Sequence, residues 1–363
     1  MFFISLRSQW YLLRFGCPAG HVVPPLLSKL KPHVVALTLG GGGGVLALGL
    51  GLPAAALIGS TLTVAVAAVT PISLAVHQRL RDLAFCVIGI SLGAGVEAEA
   101  LSQIGAWSVS LTMLLVCLWT TLMTGALLLK RLFGMDSDTA ILATSPGTMS
   151  NAIALALEGR GDATTILILQ MFRLLVLVSV VPPVAMLLDA DGIFLPMASM
   201  GLLPLALLVS TALSLGLWGS RMGIPAACLL FGMLLSAGAH VAGLAQGPAP
   251  VWAVNASFII TGAALGARLT SIKLSKLMQL SGAGLLLVGS AVVVSLCFAG
   301  ITHVFTGLPL AQIWIAFAPG GVEAMAAIGL ALGYDPAYVA IHHFARILLL
   351  VILIPICLRR FDP

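Results

Sequence analysis

Two arginines embedded in long apolar segments are the residues best suited to chemistry in this chain. Arg173 lies eleven residues after Asp162, and Arg346 lies eleven residues after Asp335. At about 1.5 Å per helical residue, this spacing puts each guanidinium near the middle of a hydrocarbon layer roughly 30 Å thick. A charge at that depth costs at least about 2.5 kcal/mol and needs a polar partner. The pair predicts either a site for a small anionic or polar solute or a clamp on exposed backbone carbonyls.

Polar side chains share a helix face with both arginines. Gln170 and His343 each precede their arginine by three residues, and His342 precedes Arg346 by four; these spacings align side chains along one helix face. A histidine titrates near neutral pH and could relay protons, although a histidine among apolar neighbours is commonly a packing residue. Gln170 and His343 are therefore predicted solute or ion contacts, with packing as the alternative.

A Pro-Gly pair interrupts one apolar segment in each half of the chain. Proline removes a backbone donor and glycine tolerates unwound backbone. Pro146-Gly147 and Pro319-Gly320 therefore predict segments that are broken into two half-helices. Half-helix N-termini directed at the middle of a membrane expose N–H groups and favour anions.

Glu323 follows the second Pro-Gly pair, at the start of the second half-helix. It could cap that helix, or it could be a protonatable site paired with Arg346. The first half has Ser150 at the equivalent position, followed by Asn151, so only neutral polar contacts are available there. This difference predicts that the two halves divide labour, one contacting the solute and the other a coupling ion or proton.

Two other repeated features predict structure rather than chemistry. Asp162 and Asp335 each lie directly before a helix, as N-cap residues do. The segments GISLGA, residues 89–94, and GAALGA, residues 262–267, present small residues that let helix backbones approach closely. A nucleotide-binding loop would need a strand and a GxGxxG pattern, which these segments lack.

The composition is that of a membrane protein. Of 363 residues, 60% are hydrophobic and only 8% are charged, against about a quarter charged in soluble domains. The net charge of +5 comes from lysines and arginines scattered between apolar runs, a pattern that indicates membrane topology rather than nucleic-acid binding. The six cysteines occur singly, so the sequence predicts no disulfide framework, no metal site and no cofactor.

One unit occurs twice along the chain. GISLGA recurs as GAALGA at an offset of 173 residues, and the same offset holds without a gap for four further pairs: Pro146-Gly147 and Pro319-Gly320, Asp162 and Asp335, Arg173 and Arg346, Pro182 and Pro355. LPAAALIG, from residue 52, matches IPAACLLF, from residue 224, at an offset of 172. We predict a cytoplasmic segment over residues 1–33, a first membrane repeat over 34–190 and a second over 199–360.

Equivalent loops of the two copies carry opposite charge. Glu97 and Glu99 follow the third apolar segment of the first copy, whereas Arg268, Lys273 and Lys276 follow that of the second. Because basic residues accumulate on the cytoplasmic side, the two repeats are predicted to be inverted. Inversion requires an odd number of crossings, so each repeat is predicted to have about five transmembrane helices plus one re-entrant or broken Pro-Gly segment. Both termini would then be cytoplasmic, and twelve plain crossings are the alternative.

The chain also resembles a known family. The LPAAxLxG helix start, the GxxLGA segment and the stretch APGGVEAMAAIGLALGYDPAYVAIHHFARILLLVILIP, from residue 318, are similar to the AbrB-type membrane protein family over about residues 34–358. Members are often labelled ammonia monooxygenase or AbrB family regulator. The first copy departs from the family pattern at SPGTMSNA, residues 145–152. The resemblance implies a multi-pass protein of the bacterial inner, or cytoplasmic, membrane.

These features favour a secondary transporter or exporter of a small polar or anionic solute, with proton coupling as an option. The alternatives are a membrane regulator or sensor acting indirectly on gene expression and, less favoured, a membrane monooxygenase. A monooxygenase needs redox-metal ligands, yet only His342 and His343 lie together in an apolar segment, and adjacent helical positions diverge by about 100°. The expected partners are the lipid bilayer and a small solute, without nucleic acid, and a homodimer is compatible with the sequence.

Overall fold

The computed structural model describes residues 26–95, 107–145, 149–188, 199–224 and 226–361, and every regular element in those ranges is helical. The predicted all-α class is confirmed. Fourteen α-helices within the described ranges are numbered here in chain order. The first half contains α1 Leu26–Gly49, α2 Ala55–Ala68, α3 Gln78–Ala94, α4 Ser108–Phe133, α5 Ser137–Thr144, α6 Met149–Leu157 and α7 Ala163–Leu188.

The second half repeats this order of helices. It contains α8 Leu202–Arg221, α9 Ala227–Val241, α10 Val251–Ala267, α11 Leu274–Thr306, α12 Leu310–Phe317, α13 Val322–Ala331 and α14 Pro336–Phe361, with a 3-10 turn at Arg268–Ser271. Helix lengths recur as well, since α5 and α12 have 8 residues each and α7 and α14 have 26 each. The duplication read from the sequence therefore has a counterpart in the secondary structure.

Seven of the described helices, α1, α4, α7, α8, α10, α11 and α14, contain segments long and apolar enough to cross a membrane. The chain is thus a multi-pass helical membrane protein. By contrast, α2 and α9 have 14 and 15 residues, or about 21–23 Å at 1.5 Å per residue, which is less than a roughly 30 Å hydrocarbon core. The predicted five crossings per repeat stay a prediction.

Each half contains one interrupted helical segment. In the second half, α12 ends at Phe317 and α13 begins at Val322, on either side of Pro319-Gly320. In the first half, α5 and α6 are likewise separate helices. Pro146-Gly147, between them, lies outside the described residues.

The helices pack into two groups that do not follow the two halves of the chain. The six-helix group contains α1–α3 and α8–α10, and the eight-helix group contains α4–α7 and α11–α14. Within the six-helix group, α2 packs on α10 and α9 packs on α3. Each of these pairs joins a helix from the first half of the chain to a helix from the second half. The two groups meet more sparsely, through α13 on α3 and α2 on α7. The repeats are therefore interleaved in space.

Glycines let the paired helices of the six-helix group approach closely. A Cβ at Gly262 of α10 would lie 2.6 Å from the Leu57 carbonyl oxygen of α2, and one at Gly89 of α3 would collide with the Leu229 carbonyl of α9. These contacts confirm that the GxxLGA segments serve helix packing. A hydrogen bond from Ser60 Oγ of α2 to the carbonyl oxygen of α10's third turn, 2.7 Å long, reinforces one of the two pairs.

The glycine run of α1, residues 40–44, has one face in contact and one face open. A Cβ at Gly43 would lie 2.5 Å from the Gly59 carbonyl oxygen of α2 and against the side chain of Thr63. A Cβ at Gly41 or Gly42 would meet nothing within 4 Å. Only part of the run is therefore needed for packing.

Asp162 and Asp335 cap the helices that carry the two arginines, as predicted. Oδ1 of Asp162 accepts from the Thr164 N–H at 3.0 Å, and Oδ1 of Asp335 accepts from the Ala337 N–H at 2.9 Å. The hydroxyl of Thr165, aided by backbone N–H groups, lowers the pKa of the Asp162 carboxyl. The N–H of Asp162 itself donates to an α5 side chain, which ties the start of α7 to the interrupted segment.

We predict that Gly43→Ala lowers the unfolding temperature, because overpacking against helix backbone typically costs about 1–3 kcal/mol. Gly42→Ala is the matched control from the open face of α1. It should leave stability unchanged or raise it, since alanine favours a helix over glycine by about 1 kcal/mol. Thermal unfolding of the purified variants measures both changes, and equal destabilisation would contradict the packing of α1 described here.

We predict a pH-dependent effect for Asp162→Asn. A carboxyl whose folded-state pKa is lowered stabilises the fold above its ordinary value, about 3.9, and loses that contribution as pH falls through the folded pKa. The wild type should therefore unfold at a higher temperature than the variant at neutral pH, and the difference should disappear in acid. A second variant, Thr165→Val, removes the largest cause of the shift and should reduce the difference, whereas a difference independent of pH would refute the charge effect.

Candidate functional site

Arg173, on α7, binds the C-terminal end of the half-helix α5. Its Nη1 donates to the Thr144 carbonyl at 2.9 Å, and its Nη2 donates to the Ser145 carbonyl at 3.2 Å. The side chain is buried, with 2% of its surface exposed. The last carbonyls of a helix lack intrahelical donors and carry the negative end of the helix dipole, so a guanidinium satisfies both needs.

Arg346, on α14, does the same at the break of the second half. Its Nη1 donates to the Ala318 carbonyl at 2.6 Å, and its Nη2 donates to the Gly320 carbonyl at 2.5 Å. It is fully buried. The geometry is that of the carbonyl clamp, one of the two interpretations of the arginines, and it involves Gly320 of the predicted Pro-Gly pair directly.

Neither guanidinium is neutralised within the described part of the chain. No carboxylate forms an ion pair with Arg173 or Arg346 there, and the Nε atom of each arginine is buried without a hydrogen-bond partner. The two positive charges are also close enough to act on each other electrostatically. Two buried cations and two free N–H donors therefore remain after the clamps are made.

Glu323 lies in the first turn of α13 and is partly buried. It forms no ion pair with Arg346 among the described contacts, although its charge acts on both Arg346 and Arg268. The N-cap position of α13 is Gly321, and no side chain caps this N-terminus by a hydrogen bond. Glu323 thus stands near the positive end of α13 without making the direct contact that either sequence interpretation would give it.

Gln170 and His343 hold equivalent positions but have different surroundings. Nε2 of Gln170 donates to the Leu142 carbonyl of α5 at 2.8 Å, which adds a third side-chain bond to the end of that half-helix. The imidazole of His343 lies near the corresponding carbonyl, that of Ile315, and interacts with it electrostatically. Neither of its ring nitrogens forms a hydrogen bond to a described group, and the side chain is fully buried.

His342 is a packing residue, in agreement with the structural interpretation of the histidines. Its Nδ1 donates to the Tyr338 carbonyl at 2.8 Å, and its Nε2 lies 2.8 Å from Ser110 Oγ of α4. Its ring lies 4.0 Å from the Tyr338 ring, centroid to centroid. Both nitrogens are engaged, so His342 and His343 do not act as a pair.

The structure thus brings Arg173, Gln170, Arg346 and His343 to the ends of the half-helices α5 and α12. Ser150 and Asn151 lie in α6, and their side chains are outside the described residues. In the described ranges, no group of three or more histidine, cysteine, aspartate or glutamate side chains is placed to hold a metal ion.

A polar network at the start of α3 was missed by the sequence reasoning, which treated the scattered lysines and arginines only as topology signals. Arg81 donates to Gln78, and Gln78 Nε2 donates to Asp82 Oδ1 at 3.2 Å. Asp82 has 9% of its surface exposed. The available signal was Gln78 at the edge of an apolar segment, three residues before Arg81 and four before Asp82, spacings that put polar side chains on one helix face.

Two comparisons with known proteins bear on this chain. Residues 56–362 match the family described as the transition state regulatory protein AbrB. The uncharacterised protein YhjN of Bacillus subtilis (strain 168) is 25% identical over 301 residues, which cover 77% of this chain and 78% of that protein. The candidate regulator AbrB of Escherichia coli (strain K12) is 23% identical over 300 residues, which cover 79% and 84%. The family match spans most of the sequence and includes both interrupted segments with their arginines, and on that basis the chain belongs to the AbrB family.

Proposed function

We propose that this protein is a secondary transporter or exporter of a small anionic or polar solute, which binds between the two interrupted segments. The observation that carries the proposal is the pair of buried guanidinium groups that keep a free Nε and lack a carboxylate partner in the described part of the chain. Buried charges of one sign are costly, and a bound anion would compensate them.

The half-helices supply a second source of positive potential. The N-terminus of α13 is not capped by a side chain, so its first N–H groups and the positive end of its dipole stay available. Transporters with interrupted helices commonly direct such N-termini at anionic groups of their substrates. The clamp and the binding interpretations of Arg346 are compatible, because the clamp uses Nη1 and Nη2 and leaves Nε for the solute.

The two halves would differ in what they bind. Neither ring nitrogen of His343 makes a well-aligned hydrogen bond to a described group, although the Ile315 carbonyl lies nearby, and an unpaired buried polar group costs about 1–3 kcal/mol. Such a cost suggests that the imidazole finds a partner, a proton or a solute, in another state of the protein. The first half has Gln170, bound to a carbonyl, at the same place. We assign the solute to the first half, with Ser150 and Asn151, and the proton to the second, with His343 and Glu323.

The two repeats would lie inverted in the bacterial inner membrane, with both termini cytoplasmic. Each would contribute five crossings and one re-entrant Pro-Gly segment, over residues 34–190 and 199–360, after a cytoplasmic segment over 1–33. The opposite charge of equivalent loops supports this arrangement. The sparse contact between the six-helix and eight-helix groups supports alternating access, because one group could move against the other while the clamps hold the interrupted segments intact.

A regulatory role is the second candidate, favoured by the name of the Escherichia coli relative. The described part of the chain is helical throughout and offers no module for reading DNA. Regulation would therefore act indirectly, through a solute that is sensed or moved. The monooxygenase label of the family is less favoured, because His342 is already engaged by Ser110 and the Tyr338 carbonyl.

We predict that Arg346→Ala leaves membrane insertion intact, lowers the unfolding temperature because two buried carbonyls lose their donors, and abolishes solute binding by the protein that remains folded. Purified protein would be screened for thermal stabilisation by acetate, lactate and succinate, and the best ligand would be tested for uptake into vesicles. Uptake should fall at least about tenfold, a loss of about 1.4 kcal/mol. Arg346→Lys keeps the charge without the two-carbonyl clamp and should retain part of the binding. Equal loss of folded protein in both variants, without a separate effect on binding, would support a purely structural arginine.

We predict that Glu97→Cys and Lys273→Cys label from opposite sides of the membrane. The six native cysteines would first be replaced, and each single-cysteine variant would be treated in intact cells with a reagent that cannot cross the membrane. The inverted arrangement requires labelling of Glu97→Cys alone. Labelling of both positions, or of Lys273→Cys alone, would contradict it.

A further inference from the structure

A cavity of about 670 Å³ lies between the six-helix group and the C-terminal end of α13. Its wall is largely apolar and includes Val254, Phe258 and Leu330, and two polar side chains, Ser91 and Asn255, also line it. Ligand sites in proteins have this size and this composition, an apolar wall with a few converging polar groups. None of the residues bound by the two arginines contributes to the wall.

The N-terminus of α2 forms one side of the cavity. Ala54 has a left-handed backbone, with φ of 48°, and no side chain caps the helix. The first N–H group to find a backbone acceptor is that of Leu57, which donates to the Ala54 carbonyl at 2.9 Å. The N–H groups of Ala55 and Ala56, both buried, have no acceptor among the described residues. Two donors and the positive end of the α2 dipole are therefore available at the wall.

Ser91, on α3, gives an independent indication of a ligand. Its side chain has only 3% of its surface exposed, and its Oγ has no hydrogen-bond partner in the described structure. Buried hydroxyls are normally satisfied, since leaving one unpaired costs about 1–3 kcal/mol. A hydroxyl and an uncapped helix N-terminus on one wall are together suited to an oxygen-bearing group.

The other repeat shows which group is missing. The equivalent helix, α9, also begins after a left-handed residue, Ala226, and it also lacks a side-chain cap. There the carboxylate of Asp82 lies close enough to act on Cys228, in the first turn of α9. Asn255 occupies the position of Asp82 at the offset of 173 residues. Arg81 acts on Cys228 as well, and Val254 occupies its position in the other copy, so the α2 end lacks both the carboxylate and the guanidinium that the α9 end has.

We propose that this cavity binds a small amphiphilic carboxylate. The carboxylate takes the place at the N-terminus of α2 that Asp82 takes near α9, and it accepts from the Ala55 and Ala56 N–H groups and from Ser91. The apolar body of the ligand lies along Phe258. The site is independent of the proposed solute site at the two arginines.

The test uses the full-length protein in nanodiscs of neutral phosphatidylcholine. Benzoate and octanoate are the carboxylate probes, and benzyl alcohol and octanol are their uncharged counterparts. Binding is measured by calorimetry and by the shift in unfolding temperature. We expect each carboxylate to bind at least about tenfold more tightly than its alcohol. Equal affinity within each pair would overturn the proposal, and so would the absence of binding by both carboxylates.

Matched variants locate the site. Asn255→Asp supplies the missing carboxylate, so it should raise the unfolding temperature without ligand and weaken benzoate binding at least about tenfold. Ser91→Ala should weaken binding several-fold. Ser257→Ala is the control on the same helix as Asn255, because its hydroxyl bonds the Ala253 carbonyl at 2.8 Å, and it should bind as the wild type does.

Arg346→Lys separates this site from the proposed transport site. It should leave benzoate binding unchanged even where it impairs uptake. Loss of benzoate binding in Arg346→Lys, with no loss in Asn255→Asp, would place the carboxylate at the arginines and overturn the proposal.

Discussion

The bond between a buried guanidinium and the carbonyls at a helix break is the interaction on which the rest of this structure depends. An interrupted helix in a membrane leaves carbonyls that no water can satisfy, at several kcal/mol each. Arg173 and Arg346 solve this problem in the same way, each with two donors on two carbonyls. A lysine would hold the two carbonyls less rigidly, because its single ammonium nitrogen sits on a flexible stem and lacks the planar fork. The clamp is what makes the Pro-Gly interruption tolerable, and the interruption in turn creates the uncapped N-terminus of α13.

The charge that stabilises the breaks also shapes the interior chemically. Each clamp uses the terminal nitrogens and leaves the Nε group unsatisfied, so holding the backbone leaves a residual positive potential beside each break. In the six-helix group, by contrast, close approach of backbones is achieved with glycine and with a serine hydroxyl, and no buried cation is needed. The eight-helix group therefore contains buried polar side chains around the helix breaks, whereas the six-helix group is packed closely through small residues.

Local patterns predicted the features that depend on local chemistry. The position of Asp162 directly before a helix predicted its cap, and the GxxLGA segments predicted close packing. What sequence could not give depends on which helices meet. The carbonyl partners of the arginines and the division into six and eight helices arise from contacts between distant segments. The left-handed backbone of Ala54 was also unpredictable, because alanine is disfavoured in that conformation by about 1–2 kcal/mol and carries no marker for it.

The exchange of partners between the halves has a consequence for biogenesis. Ser60 bonds a carbonyl 199 residues further along the chain, and Ser236 bonds one 146 residues earlier. Such long-range closure is slow compared with the pairing of neighbouring helices. During synthesis, the face of α2 that carries Ser60 must therefore remain in contact with lipid, or with insertion machinery, until α10 has been translated. A nascent chain halted after the first repeat would present an unfinished surface to the quality-control proteases of the membrane.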